Sequence, residues 1–217
     1  MITSIDVDSF HFEEDGHQYV HAGRNHPSVT GLLKKHGLID YSMVSHETLM
    51  RKRDIGLRLH KWTEVHDRTG VADFMILPEE NVGYAKAWLN FLRQSGFEII
   101  DIEFRMMSEI MGMMVGGTSD RHFRYRKSQD LIADLKFCAQ PMPAWGPQTA
   151  AYTMMRFKKL HIGNTLRCSI QLFPDGRFQI HWYDQESDGD AFLAIVSLEA
   201  WKWNHNLRGS SQWLPVG

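Results

Sequence analysis

The run Asp130-Leu131-Ile132-Ala133-Asp134-Leu135-Lys136-Phe137 decides the fold that we expect for this chain. It is mostly apolar and too short for a typical helix, which is the pattern of a buried strand. Side chains alternate between the two faces of a strand, so Asp134 and Lys136 share a face. Charged groups in a buried strand are costly unless they are paired or bind a metal. The sequence therefore places an acid and a base side by side on a predicted central strand.

The elements around this strand predict a mixed α/β fold with one central sheet flanked by helices. We expect hairpins at 10–20 and 167–183, strands at about 100–106, 115–125 and 130–137, and helices from about 28 and at about 47–68, 80–94, 147–160 and 190–204. We treat 1–217 as one domain, with an N-terminal hairpin and helices at about 1–95, a core at about 96–184 and a C-terminal helix at about 190–204.

Composition indicates an ordinary globular chain. Hydrophobic residues make up 43% and charged residues 23% of the 217 residues. The chain has no apolar run of the roughly 18 residues that a membrane helix needs, and its first residues do not resemble a signal peptide. We therefore expect a cytoplasmic protein with no membrane partner. Two cysteines, Cys138 and Cys168, are too few for a four-cysteine zinc or iron–sulfur site.

The net charge of −2 does not by itself indicate a nucleic-acid partner, but the basic residues are clustered. One cluster lies at 121–127 and includes Arg124, Arg126 and Lys127. Such clusters can contact phosphates on a near-neutral protein. Solvated surface charges are the alternative interpretation.

Asp120 is a second acid that is predicted to approach Asp134. It follows two strand glycines, Gly116 and Gly117, which often mark close approach of a backbone or a ligand. If a three-residue turn is centred on Lys127, Asp120 lies directly across from Asp134, with Cβ atoms about 5 Å apart. Two carboxylates at that distance repel unless one is protonated or a cation lies between them. A register shift of one residue would instead leave two unrelated surface aspartates.

Two helices offer further polar groups at helical spacing. Gly56 and His60 lie one turn apart on the same helix face, so the glycine leaves room beside an imidazole that can bind a metal. Gln148 and Tyr152 have the same spacing and could bind a phosphate or orient a catalytic group. The alternatives are a structural histidine, one of 12 in the chain, and an amide and a phenol at a helix–sheet interface.

An upstream glutamate could add a carboxylate to this set. Glu103 lies on the polar face of an alternating strand, and Glu109 follows a few residues later. We favour Glu103 because the alternation around it is clear.

In this order, the motifs resemble the PD-(D/E)XK nuclease superfamily and are most similar to its RecB-like branch. The matching pieces are Gly56-xxx-His60, Glu103, Gly117-Thr118-Ser119-Asp120, Asp134-Leu135-Lys136 and Gln148-xxx-Tyr152. That branch includes phage exonucleases, CRISPR-adaptation nucleases and a mitochondrial single-stranded DNA exonuclease, and this chain looks most like the phage-type members. Ala133 stands where the literal motif has proline, and the iron–sulfur cysteines of the CRISPR-adaptation members are missing.

The resemblance implies a restriction-endonuclease-like core and hydrolysis of DNA phosphodiester bonds with Mg²⁺ or Mn²⁺, without an iron–sulfur cluster. It implies metal ligands at His60, Asp120, Asp134 and the Leu135 carbonyl. Lys136 would orient water or neutralise charge, and Glu103, Gln148 and Tyr152 would support the site.

The resemblance also implies a DNA partner. We expect an exonuclease acting on single- or double-stranded ends in phage or bacterial recombination, repair or degradation, in the host cytoplasm if the chain is phage-encoded. A homo-oligomer or a recombination partner protein is compatible with this family. A structure-specific or restriction-like endonuclease is the alternative, followed by a non-catalytic nucleic-acid-binding protein on the same fold.

Overall fold

The computed structural model describes residues 2–14, 16, 18–126, 128–162 and 165–207. Within them the strands are β1 (Ile2–Ser4), β2 (Phe10–Glu13), β3 (Gln18–His21), β4 (Arg24–His26), β5 (Glu98–Ile110), β6 (Met113–Tyr125), β7 (Gln129–Lys136), β8 (Leu166–Leu172) and β9 (Phe178–Trp182). The helices are α1 (Val29–Lys35), α2 (His46–Thr69), α3 (Glu79–Ser95), α4 (Trp145–Phe157) and α5 (Ser187–Asn204).

The main sheet has the strand order β1-β5-β6-β7-β8-β9. Strands β7 and β8 are parallel and are joined through α4, while the other neighbouring pairs are antiparallel. A smaller antiparallel sheet contains β2, β3 and β4. The predicted α/β fold with a central mixed sheet flanked by helices is confirmed.

Helices cover both faces of the main sheet. Helices α2 and α3 pack on one face through an aromatic cluster that includes Trp88 and Phe91, and α1, α4 and α5 pack on the other. The small sheet contributes Tyr19, which packs with Met107 of β5. Arg105 is exposed and Met106 is buried, as the alternation predicts, and Met107, beyond the predicted strand, is also buried because both faces of the sheet are covered there.

Local sequence signals place several element ends. The Ser28 hydroxyl accepts a hydrogen bond from the Gly31 N–H at the start of α1, as expected for an N-cap. Gly70 ends α2 in the left-handed conformation. Helix α5 begins at Ser187, earlier than expected. The predicted N-terminal hairpin is present as β2 and β3, although Asp15 of its expected turn lies outside the described residues.

The two glycines of β6 allow side chains to approach both faces of the strand. A Cβ atom on Gly116 would collide with the Tyr19 ring, and one on Gly117 would come within 3.0 Å of the Tyr152 ring. The close approach expected from the sequence is therefore made by protein side chains.

Among the helices of the described residues, none combines the length and apolar character needed to cross a membrane.

Candidate metal centre

The candidate site lies where β6 and β7 separate. Their pairing runs from Tyr125↔Gln129 to Arg121↔Ala133, which is the register of a turn centred on position 127. Beyond that pair, β6 continues beside β5 and β7 continues beside β8. The predicted register is confirmed, but Asp120 and Asp134 do not form a ladder pair. Instead, the Leu135 N–H donates a hydrogen bond to Asp120 Oδ2 across the opening, at 2.6 Å.

Three potential metal ligands meet at this opening. Nδ1 of His60, on α2, lies 3.6 Å from Asp120 Oδ1 and 3.9 Å from Glu103 Oε1. One ligand atom from each residue lies within 4.8 Å of the other two. The His60 ring also packs edge-on against Phe137, with the ring centroids 5.0 Å apart. One imidazole and two carboxylates can bind a divalent cation such as Mg²⁺ or Mn²⁺.

Glu103 enters this cluster through an unusual backbone conformation. Its φ is +50°, in the left-handed region, at a position between the ladder pairs Ile102↔Arg121 and Phe104↔Ser119. A non-glycine residue in this region costs about 1–3 kcal/mol, and such residues are concentrated at functional sites. Glu109, the alternative upstream acid, is exposed and pairs with Thr3 of β1, so it lies away from the cluster.

The buried Arg121 fixes the position of the Glu103 carboxylate by a hydrogen bond. Arg121 Nη1 donates to Glu103 Oε1 at 3.2 Å and to the Asp120 carbonyl at 2.6 Å. Its Nε donates to Asp67 Oδ2 at 2.8 Å, and the side chains of Arg121 and Asp67 are fully buried. Asp67 also accepts a hydrogen bond from the Trp88 indole, at 2.9 Å. Asp67 and Arg121 are not among the site residues predicted from the sequence.

A second polar chain starts at Asp134 and runs to α4. Lys136 forms an ion pair with Asp134 and donates to Gln148 Oε1 at 2.7 Å. Gln148 Nε2 in turn lies 3.1 Å from the Tyr152 hydroxyl and 3.4 Å from the Thr30 hydroxyl. The structure thus brings the predicted residues Asp134, Lys136, Gln148 and Tyr152 together. Asp134 faces Lys136 and lies outside the three-residue cluster. Leu135 contacts the site through its N–H, so the role of its carbonyl as a metal ligand stays a prediction.

Burial and mutual repulsion control the charges of the site. Burial and, after it, the charge of the Asp120 carboxylate raise the pKa of Glu103 to about 8. Burial also raises the pKa of Asp134 to about 6 and that of Asp120 above its usual value. Burial, together with the charges of Arg121 and Lys136, lowers the pKa of His60 to about 4, so the imidazole is neutral at pH 7. A neutral imidazole beside repelling carboxylates suits a bound cation.

The predicted phosphate-binding residues lie at the other end of β6. Arg124 pairs with Glu98 at 3.5 Å, and the Arg126 guanidinium lies 5.0 Å from the Tyr125 ring centroid. Both residues are near the turn to β7, several residues from the opening at Asp120, and Lys127 lies outside the described residues. The structure therefore does not bring Arg124 and Arg126 to the metal cluster.

Comparison with known proteins identifies no family. No family model matches the chain, and no curated protein matches it. One similar solved structure is described as "Crystal structure of SSO0001"; it shares 14% identity, with 67% of this chain and 70% of that chain covered, at a TM-score of 0.40. This degree of similarity establishes neither a family nor an activity.

Proposed function

We propose that this protein is a metal-dependent DNA exonuclease of the PD-(D/E)XK type, in its RecB-like branch. The observation that carries the proposal is the meeting of two polar groups where β6 and β7 separate. One is the possible cation site formed by His60, Glu103 and Asp120, and the other is the Asp134–Lys136 pair next to it. Cation ligands beside a partly buried ammonium suit a phosphodiester, which carries negative charge before and during hydrolysis.

The residues present fit a bound Mg²⁺ or Mn²⁺. His60, Glu103 and Asp120 would hold the ion, with Asp134 close to them. When bound, the ion would polarise the scissile phosphate and lower the pKa of a water molecule.

The remaining roles belong to the polar chain that runs to α4. The Lys136 ammonium would neutralise charge that develops on the phosphate or orient the attacking water. Gln148 fixes the position of that ammonium by accepting its hydrogen bond at 2.7 Å, and Tyr152 lies 3.1 Å behind the Gln148 amide. Asp134 forms the ion pair that compensates the charge of the partly buried Lys136 ammonium.

Incubation of the purified protein with linear DNA tests this function. We expect degradation with Mg²⁺ or Mn²⁺ and none with EDTA. Asp134→Ala and Lys136→Ala should each reduce the rate by about 10²-fold or more, because each removes a charge from the reacting centre. Asp130→Ala is the matched control, since Asp130 lies on the same strand but its side chain is 55% exposed and contacts His122. If both site variants cut like the parent, the site assignment is wrong.

Covalently closed circular DNA separates the alternatives. An exonuclease leaves it intact, whereas nicking or linearisation would favour a restriction-like endonuclease. DNA binding without metal-dependent cleavage would favour the non-catalytic reading.

A further inference from the structure

The N-terminal part of α2 is less buried than the rest of the helix. Residues 46–54 of this helix include no buried residue, whereas Ile55, Leu59, Trp62 and Thr63 in the rest of the helix are buried. Twenty-four residues give the helix a length of about 36 Å. The stretch 46–54 is therefore the less buried part of the helix, it is joined to α3 by the Arg51–Glu80 ion pair, and it leads away from His60.

One stripe of α2 starts at the metal cluster. Lys52, Gly56 and His60 follow each other at intervals of four residues, so they lie on one side of the helix. His60 packs against Phe137. Phe137 is the first residue after β7. The His60 end of the stripe therefore lies beside the segment that follows β7.

Gly56 leaves a gap in this stripe. Glycine inside a helix costs about 1 kcal/mol relative to alanine. A Cβ atom on Gly56 would meet no atom of the described residues within 4 Å. By contrast, a Cβ on Gly83 of α3 would collide with the Pro174 carbonyl, so packing accounts for that glycine. In the described part of the chain, no contact accounts for glycine at position 56.

We infer that the Lys52–Gly56–His60 stripe is a track for the sugar–phosphate backbone of a DNA strand leaving the metal centre. This inference rests on the proposed nuclease function and names how that site holds its substrate. Gly56 provides the space in which the DNA backbone approaches the helix, and the exposed Lys52 contacts a phosphate farther along the strand. Lys52, Gly56 and His60 are spaced about 6 Å apart along the helix axis, so each could lie beside one of three consecutive phosphates. Contacts of this kind bind DNA without reading its sequence.

Binding of a labelled single-stranded oligonucleotide, measured by fluorescence anisotropy with Ca²⁺ to prevent cleavage, tests the track. Gly56→Leu fills the gap and should weaken binding at least about 10-fold. Lys52→Ala should weaken binding of all sequences similarly and reduce the slope of log K against log salt by about 0.7. Lys61→Ala is the charge-matched control on another side of the same helix, where Lys61 pairs with Glu64 at 3.1 Å, and it should bind like the parent.

Calorimetry of Mn²⁺ binding without DNA separates a loss of DNA contacts from damage to the metal centre. Both track variants should bind Mn²⁺ like the parent. Lys52→Ala should melt like the parent, and Gly56→Leu should melt at the same or a slightly higher temperature, because leucine is a better helix former than glycine. The track is wrong if Gly56→Leu binds DNA as tightly as the parent, or if it loses Mn²⁺ binding as well. A parent protein that neither binds nor cuts DNA would overturn the proposed function and the track with it. A parent that does both, with unaffected variants, would overturn the track alone.

Discussion

Arg121 links the candidate metal centre to the core of the protein. Its guanidinium reaches Asp67 on one side and Glu103 and the Asp120 carbonyl on the other. Asp67 is itself fixed by the Trp88 indole. Outer partners of this kind orient metal ligands, and their loss typically lowers metal affinity about 10–100-fold. Arg121 is thus a positioning residue, because it acts through Glu103 and the backbone of Asp120.

Asp67→Asn should destabilise the protein strongly. The substitution leaves the buried Arg121 charge without its main partner, which costs about 3–5 kcal/mol in the free energy of unfolding. Urea unfolding measures this loss, and calorimetry should show weaker Mn²⁺ binding in the same variant. Glu64→Gln on the same helix is the control, since Glu64 is partly exposed and pairs with Lys61 and Arg68 at the surface. It should cost less than about 1 kcal/mol. Equal losses in the two variants would contradict a buried anchoring role for Asp67.

Strand β6 is the element on which the small sheet, helix α4 and the metal centre all depend. Gly116 receives the Tyr19 ring from β3, and its N–H donates a hydrogen bond to the Pro27 carbonyl at 2.9 Å. The Tyr19 hydroxyl lies 2.6 Å from the Thr118 hydroxyl, two residues from Asp120. Contacts with the small sheet therefore fix the part of β6 that leads into the site.

Gly116→Ala should destabilise the protein because the new methyl group collides with the Tyr19 ring. Overpacking of this kind costs about 1–3 kcal/mol. Gly56→Ala is the matched control, because its methyl group enters open space and should raise helix stability by up to about 1 kcal/mol. Urea unfolding compares the two substitutions.

The same substitution in a Tyr19→Ala protein tests whether the collision with Tyr19 causes the loss of stability. In a Tyr19→Ala protein, Gly116→Ala should cost little, because the ring it meets is gone. A penalty of the same size in both backgrounds would show that the Tyr19 contact is not responsible.

The sequence predicts the parts of the site that depend on local geometry. Strand alternation places Asp134 and Lys136 on one face, and a three-residue turn fixes the register that ends at Ala133. The left-handed backbone of Glu103 has no local sequence signal, because glutamate rarely adopts it and tertiary contacts impose it. Likewise, Asp67 and Arg121 are 54 positions apart in the sequence, and no local pattern distinguishes Asp67 from the other acidic residues, 26 in all, as the partner of Arg121.

At the scale of the whole molecule, one buried carboxylate joins the first and last helices. Glu199 of α5 accepts hydrogen bonds from Lys35 at 2.6 Å and Lys202 at 3.1 Å, and its other close neighbour is His36 Nε2 at 2.9 Å. Burial opposes ionisation of Glu199, but the bonds from Lys35, Lys202 and His36 outweigh it and lower its pKa to about 2. In the unfolded chain this pKa is about 4.5. The ionised Glu199 therefore stabilises the fold above about pH 4.5, and the contribution is lost as pH falls toward 2.

Glu199→Gln should accordingly destabilise the protein in a pH-dependent way. A pKa shift from 4.5 to about 2 corresponds to about 3 kcal/mol at pH 7. Urea unfolding at pH 7 and pH 3 should show that the difference between parent and variant falls to roughly half or less at the lower pH. Glu98→Gln is the control, since Glu98 is 66% exposed and pairs with Arg124 at 3.5 Å, and it should cost less than about 1 kcal/mol at either pH. A Glu199→Gln penalty that is the same at both pH values would mean that the ionised carboxylate does not hold α1 against α5.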